Sequence, residues 1–191
     1  MREMIKMVFV LAVICGFSGA VLSFTNKATQ EQRENQLLKF VQGPSIQSVF
    51  ANIQYDNEPI NDRVVLKMGE DKEGNPVEKI VFPARKGGAL VAVAYSASGS
   101  GYGGMIDVMV GMDMEGKLTG ISVMTHSETP GLGARVTEAG FSEQFRGLGF
   151  DNGEIAGDID GISGATISSK GVVTAVNQAA KIFPKVKEEV S

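Results

Sequence analysis

The residues best suited to chemistry lie between Asp160 and Ser169, where small and hydroxylated side chains precede a run with helical spacing. The apolar members of that run recur at Val172, Val176, Ala179, Ala180 and Phe183. This spacing predicts a helix with Thr166 at its mouth. The unpaired N–H groups and the positive dipole end of a helix can hold a phosphate when small neighbours let the backbone approach it. Gly164 and Ala165 are such neighbours.

Spacing alone leaves the role of these hydroxyl groups open. Ser163, Thr166 or Ser168 could simply cap the helix, because serine and threonine are preferred at that position. A Walker phosphate loop is excluded, since Lys170 follows the serines and precedes Gly171, which is the wrong order for that motif. The stretch therefore indicates either a helix cap or an anion site.

A second candidate is the loop at residues 125–135, which holds His126, the only histidine of the chain. One histidine with Glu128 nearby makes a poor metal site, because zinc needs several converging ligands. We therefore predict no metal. The residue types alone indicate a rigid loop, in which Pro130 fixes φ and Gly131 and Gly133 supply unusual dihedral angles.

Glycines at 99, 101 and 104 form a Gly-x-Gly-x-x-Gly string upstream of that loop. A dinucleotide site needs a helix after this string. The residues that follow, Met105 to Met114, alternate instead like a strand. We therefore expect no Rossmann site.

Composition excludes several classes of protein. The chain has 191 residues, of which 43% are hydrophobic, and a net charge of −4. These values predict one ordinary domain with a short extension, and the absence of a basic stripe argues against nucleic acid. The single cysteine, Cys15, cannot form an intrachain disulfide or ligate an iron–sulfur cluster by itself. Any redox chemistry must therefore come from a bound organic cofactor.

An uncharged run from Met7 to Phe24 has the length of a short membrane-spanning helix. A cleaved signal peptide is the alternative, with residues 18–20 as its cleavage site, but the apolar run continues beyond them. Arg2 and Lys6 precede the run, which predicts a cytoplasmic N-terminus and an extracytoplasmic main domain.

The remaining elements are predicted from periodicity and turn residues. A polar helical stalk covers residues 27–42 and ends at Gly43-Pro44, and residues 45–75 form an irregular entry to a sheet. A short helix covers residues 137–148. The predicted strands are 77–83, 89–97, 105–114 and 117–124, the last two joined by a hairpin turn at Glu115-Gly116. The predicted domains are a transmembrane anchor (1–25), a stalk (26–43), a folded domain (44–184) and a charged tail (185–191) that frays.

The string Asp-Gly-Ile-Ser-Gly-Ala-Thr at 160–166 resembles the Asp-x-x-Ser/Thr-Gly-Ala-Thr signature of proteins that carry FMN covalently. That family is the FMN-binding domain shared by the G subunit of Rnf electron-transport complexes and the C subunit of the sodium-pumping NADH:quinone reductase. The string His-Ser-Glu-Thr-Pro-Gly-Leu-Gly at 126–133 is typical of the Rnf G subunit.

The resemblance implies an α+β fold, in which a single N-terminal transmembrane helix is followed by one FMN-binding domain with an antiparallel sheet and flanking helices. It implies an FMN phosphoester on Thr166, attached by a flavin transferase that uses FAD as donor. The other residues implied to bind the cofactor are Ser163, Gly164, Ala165, Glu128, Thr129, Gly131, Leu132, Tyr102 and Gly103. No residue is assigned a catalytic role.

The implied function is that of an electron-carrier subunit in the cell membrane, not catalytic on its own. Its partners are the other subunits of a translocase that couples ferredoxin/NAD electron transfer to ion transport. Two alternatives stay open. One is an anchored extracytoplasmic binding or assembly module without a redox centre, and the other is the FMN domain of a different membrane reductase.

Overall fold

The computed structural model describes residues 2–70 and 76–190. The chain divides into two compact units, one that ends at Phe40 and one that begins at Val41. Residues 71–75, which hold most of the turn formers at Glu73-Gly74-Asn75-Pro76, lie outside the described residues.

The first unit is helical. Helix α1 spans Arg2–Leu37, and a π-helical turn follows at Leu38–Gln42. Within α1, Lys6–Asn26 has a mean hydropathy of 2.4 and is the one helix of the described residues long and apolar enough to cross a membrane. Its large apolar side chains, such as Phe9 and Leu22, are exposed. The predicted apolar helix is thus confirmed. The predicted stalk is helical as well, with α1 up to Leu37 and the π-helical turn up to Gln42.

The second unit is an antiparallel sheet with helices packed against it. Its strand order is β1-β2-β3-β4-β5, so each strand pairs with its neighbour in sequence. The strands are β1 (Val64–Glu70), β2 (Pro76–Lys86), β3 (Ala89–Ser100), β4 (Met105–Asp113) and β5 (Leu118–Thr125). A two-stranded ribbon follows, formed by β6 (Phe150–Asp151) and β7 (Glu154–Ile155). The helices are α2 (Gly43–Val49), α3 (Ala139–Ser142) and α4 (Thr166–Val190), and 3-10 turns flank α3 at Gly133–Thr137 and Glu143–Phe145.

Helix α4 lies against the sheet at unusually close range. A Cβ added at Gly99 of β3 would lie 2.0 Å from the backbone oxygen of Gly171, so this contact requires glycine. Farther along the helix, the buried Tyr95 hydroxyl donates a hydrogen bond to the Ala179 oxygen at 2.9 Å. The two contacts fix α4 along β3, and its first turn, at Thr166, therefore lies near the turn that follows β3.

Several predictions about elements are wrong. The part of this region that the structure describes, residues 45–70, is irregular only at 50–63, because α2 precedes that segment and strand β1 follows it. Pro44 does not end a helix but lies in the first turn of α2, where its missing N–H costs nothing. Strand β1 carries a register shift between Lys67 and Gly69. Its exposed face holds the apolar Val65, and this residue obscures the alternation by which a strand is recognised.

Two helix predictions also need correction. The helix expected at 137–148 is broken into α3 and its flanking 3-10 turns, although Phe141 and Phe145 are buried and pack edge to face at 5.4 Å. The fraying expected from Lys185 is wrong up to Val190, because α4 continues that far. Val186 and Val190 are buried, and this burial favours an ordered last turn over a solvated tail.

Candidate functional site

A cleft of about 520 Å³ opens where three segments of the second unit meet. These segments are the turn after β3, the loop after β5 and the first turn of α4. Binding sites for small molecules and cofactors have volumes of roughly 300–1,000 Å³. The lining residues are Tyr102, Glu128, Thr129, Leu132, Gly133, Gly164, Ala165, Thr166, Ile167 and Ser168. The cleft therefore has room for a small organic ligand.

The start of α4 presents free donors to this cleft. Ser169 is the first residue of α4 whose N–H bonds back into the chain, to the Ala165 oxygen at 3.0 Å. Within the described residues, the N–H groups of Thr166, Ile167 and Ser168 have no backbone acceptor. Such groups, together with the helix dipole, make a helix N-terminus a site for anions.

The hydroxyl groups of this first turn have different surroundings. Ser168 is 1% exposed, and its Oγ donates to the carboxylate of Glu128. Ser169 is buried as well, where its Oγ donates to the Ala165 oxygen at 3.1 Å and accepts from the Ile162 N–H at 3.0 Å. Thr166 is exposed at the cleft. Its hydroxyl is therefore the one of these three that an incoming molecule can reach.

Glu128 joins the three segments beneath the cleft. The residue is only 5% exposed, and Oε1 accepts a hydrogen bond from the Gly103 N–H at 2.8 Å while Oε2 accepts from the Ser168 hydroxyl. The surrounding glycines make room for it, because a Cβ at Gly101 would lie 2.4 Å from Oε1 and one at Gly133 would lie 2.6 Å from Oε2.

The carboxyl group of Glu128 is held in its charged form. Burial by itself raises the pKa of Glu128, but the hydrogen bonds from Ser168 and from the backbone of Gly103 and Tyr102 lower it, as does nearby His126. The net pKa lies below the usual range, so Glu128 is ionised at neutral pH.

His126 has a structural role in the same loop. Its Nδ1 accepts a hydrogen bond from the Glu128 N–H at 3.2 Å, which shapes the turn ahead of the buried carboxylate. In the part of the chain that the structure describes, no group of three or more His, Cys, Asp or Glu side chains could hold a metal ion.

The structure brings together most of the residues that the sequence singled out. Those that line the cleft are Tyr102, Glu128, Thr129, Leu132, Gly164, Ala165 and Thr166. Gly103 lies next to them through its bond to Glu128, whereas Ser163 and Gly131 do not line the cleft. Gly133, Ile167 and Ser168 also line the cleft, although they were not among the residues implied to bind the cofactor. Gly133 is the last residue of the string at 126–133. Ser168 lies four residues before the buried Val172, and this spacing predicts that both side chains lie on the face of α4 that packs against the sheet.

Comparisons with known proteins agree with the motifs. A family model described as an FMN-binding domain matches residues 101–181. The G subunit of the ion-translocating oxidoreductase complex of Methanosarcina acetivorans is 34% identical over 185 residues, which cover 93% of each chain. The G subunit of the proton-translocating ferredoxin:NAD(+) oxidoreductase complex of Clostridium ljungdahlii is 30% identical, over 70% of this chain and 81% of that protein.

A solved structure shows the same fold. The crystal structure of the C subunit of the Na(+)-translocating NADH-quinone reductase of Parabacteroides distasonis matches 80% of this chain and 93% of its own, with a TM-score of 0.56 and 22% identity. The α+β fold, with an apolar helix ahead of an antiparallel sheet and its helices, is thereby confirmed. By its 34% identity with the Methanosarcina acetivorans protein over 93% of its length, the chain belongs to the family of G subunits of Rnf-type ion-translocating oxidoreductase complexes.

Proposed function

We propose that this chain is a membrane-anchored electron carrier with FMN in the cleft, attached through a phosphoester to Thr166. The observation that carries the proposal is the exposed Thr166 hydroxyl beside unpaired N–H groups at the open start of α4. A phosphate esterified to that oxygen stays within reach of those donors, whose positive dipole end favours its charge.

The other cleft residues fit the rest of FMN. The cleft is lined by three large apolar or aromatic side chains that are exposed to water, namely Tyr102 (74% exposed), Ile167 (53%) and Leu132 (45%). A flat aromatic ring covers such surface favourably. Gly164 has φ of +79°, and a Cβ added there would lie 3.0 Å from the Leu132 side chain. Because glycine has no side chain, the space between Leu132 and Thr166 stays open.

The surroundings of the hydroxyl groups favour Thr166 over its neighbours as the attachment point. Ser168 and Ser169 donate their protons to buried acceptors, so modification of either would break an internal hydrogen bond. A buried oxygen would also have to emerge to meet a modifying enzyme. Thr166 needs no such rearrangement.

Attachment calls for a separate flavin transferase that uses FAD. The Thr166 oxygen attacks the flavin-side phosphorus of FAD, the P–O–P bond breaks, and AMP leaves. The hydroxyl proton goes to a base of the transferase. The product is Thr166 bearing FMN less one water. A covalent link suits a domain on the extracytoplasmic side, where a dissociated cofactor would be lost by dilution.

Bound FMN supplies the redox chemistry by accepting and passing on electrons, while the protein supplies position and electrostatics. The other subunits of the complex deliver and remove those electrons. The name of the Clostridium ljungdahlii relative specifies a ferredoxin:NAD(+) oxidoreductase that translocates protons. We propose a complex of the same class here, with helix α1 as the anchor and the FMN domain outside the cytoplasm.

The test is a set of threonine variants expressed in the membrane with an active flavin transferase. Thr166→Ala should fold but carry no flavin, whereas Thr166→Ser should keep it because the hydroxyl remains. Thr174→Ala is the matched control, since Thr174 is an exposed threonine on the same helix outside the cleft. Intact mass after denaturation reports covalent flavin.

Ser168→Ala should also retain flavin, because its hydroxyl is already engaged by Glu128. Covalent flavin on Thr166→Ala would end the proposal. The wild-type protein could also lack flavin in cells whose transferase is shown to modify another substrate. That result would mean that Thr166 only caps the helix. An assembly module without a redox centre would then be the better account.

A further inference from the structure

Direct contact with a ligand does not explain why a carboxylate, that of Glu128, is buried beneath the cleft. Both of its oxygens accept hydrogen bonds from within the protein, Oε1 from the Gly103 N–H and Oε2 from the Ser168 hydroxyl. With 5% of the residue exposed, little of it remains to contact a ligand directly. Glu128 therefore acts through the groups it holds and through its charge.

That charge has no close cationic partner. Among the described residues, no lysine or arginine nitrogen lies within 4.0 Å of the Glu128 carboxylate. His126 is the titratable neighbour, and its influence on Glu128 is weaker than that of the hydrogen bonds. A charge that is buried is screened far less by water and salt than one at the surface. The floor of the cleft thus carries a fixed negative charge.

We propose that Glu128 is a positioning residue that lowers the reduction potential of the flavin in this cleft, by placing a fixed negative charge beside it. This inference rests on the proposed function. When two electrons from an external donor and one proton from solvent are added to the flavin, it gains one negative charge. The nearby carboxylate repels that charge, so the oxidised form is favoured.

Two substitutions separate this electrostatic role from a structural one. Glu128→Gln removes the charge and keeps an oxygen that can accept hydrogen bonds. Ser168→Ala removes one hydrogen-bond donor and leaves the carboxylate more negative towards the cleft. Both changes disturb the bond between Ser168 and Glu128. A purely structural role predicts shifts in the same direction, whereas the electrostatic role predicts opposite directions.

The experiment measures the equilibrium of flavin-loaded full-length protein with a two-electron reference dye at pH 7. We expect Glu128→Gln to shift that equilibrium towards reduced flavin by on the order of tenfold, or ~30 mV. Ser168→Ala should shift it towards oxidised flavin. Glu143→Gln is the matched control, because it makes the same charge change at an exposed position outside the cleft and should shift it by less than about twofold.

An unchanged potential in loaded Glu128→Gln protein would overturn the proposal, and so would a shift of both variants in one direction. If the Glu128→Gln protein takes up no flavin, the test rests on the Ser168→Ala protein. A lower reduction potential of its flavin supports the proposal, and any other result contradicts it. Absence of flavin from wild-type Thr166 would instead count against the proposed function, so the two failures are distinguishable.

Discussion

At the scale of single residues, the site depends on which groups are satisfied internally and which are left open. The Ser168 hydroxyl and the Glu128 carboxylate are hydrogen-bonded to each other in the interior, whereas Thr166 is the exposed hydroxyl in the first turn of α4. The short motif at 160–166 was readable from sequence because its residues are contiguous. The pair of Glu128 and Ser168 was not, because its members are 40 residues apart and meet only after folding.

Gly133 tests how tightly this pairing is packed. A Cβ there would lie 2.6 Å from Glu128 Oε2 and 2.7 Å from Ser168 Oγ, so Gly133→Ala must displace one of them. We expect a loss of about 1–3 kcal/mol in the free energy of unfolding, with reduced flavin uptake. Denaturant unfolding and flavin content measure the two effects.

Gly140→Ala is the control for that change. Gly140 has open space around it and lies within α3, so alanine there should be neutral or mildly stabilising. Equal stability of the Gly133 and Gly140 variants would show that the glycine at 133 is not needed for packing around Glu128.

At the scale of elements, helix α4 and strand β3 set the position of the cleft. Their contact at Gly99 and Gly171 leaves no room for a side chain. The hairpin between β4 and β5 was predictable, because Glu115-Gly116 has the residues of a tight turn and Gly116 adopts φ of +84°. Strand β1 was missed because the apolar Val65 lies on its exposed face and obscures the alternation. The closeness of α4 to β3 depends on a tertiary contact with no local signature.

Substitution at this contact should act on both stability and the site. Gly99→Ala would place a Cβ 2.0 Å from the Gly171 oxygen. The clash involves backbone atoms, so either α4 or β3 would have to move to relieve it. We expect a loss of about 3 kcal/mol or more in the free energy of unfolding. Because α4 would shift, covalent flavin on Thr166 should also fall. Gly149→Ala, in open space, should leave both unchanged, and a Gly99 variant as stable as wild type would refute the close contact.

At the scale of the whole molecule, the chain combines a membrane-type helix with a domain that has its own core. The second unit, from Val41 onward, contains the complete sheet and the cleft. The apolar run of α1 was evident from hydropathy and length. The side of the membrane on which the domain lies stays a prediction, since it rests on the basic residues Arg2 and Lys6.

Removal of residues 1–40 tests whether this unit is autonomous. We expect the shortened chain to leave the membrane fraction, to unfold cooperatively and to accept flavin from a transferase present in the same compartment. Fractionation, thermal unfolding and flavin content are the measurements. An aggregated or unfolded product would contradict the independence of the second unit.

The central claim is that the open hydroxyl of Thr166 carries the flavin. The measurement that tests it most directly is peptide mapping of denatured wild-type protein, purified from membranes of cells with an active flavin transferase. The tryptic peptide that ends at Lys170 contains Ser163, Thr166, Ser168 and Ser169. Our account predicts a mass gain of one FMN less one water, located on Thr166 by fragmentation. The same gain on any of the three serines, or an unmodified peptide, would contradict it.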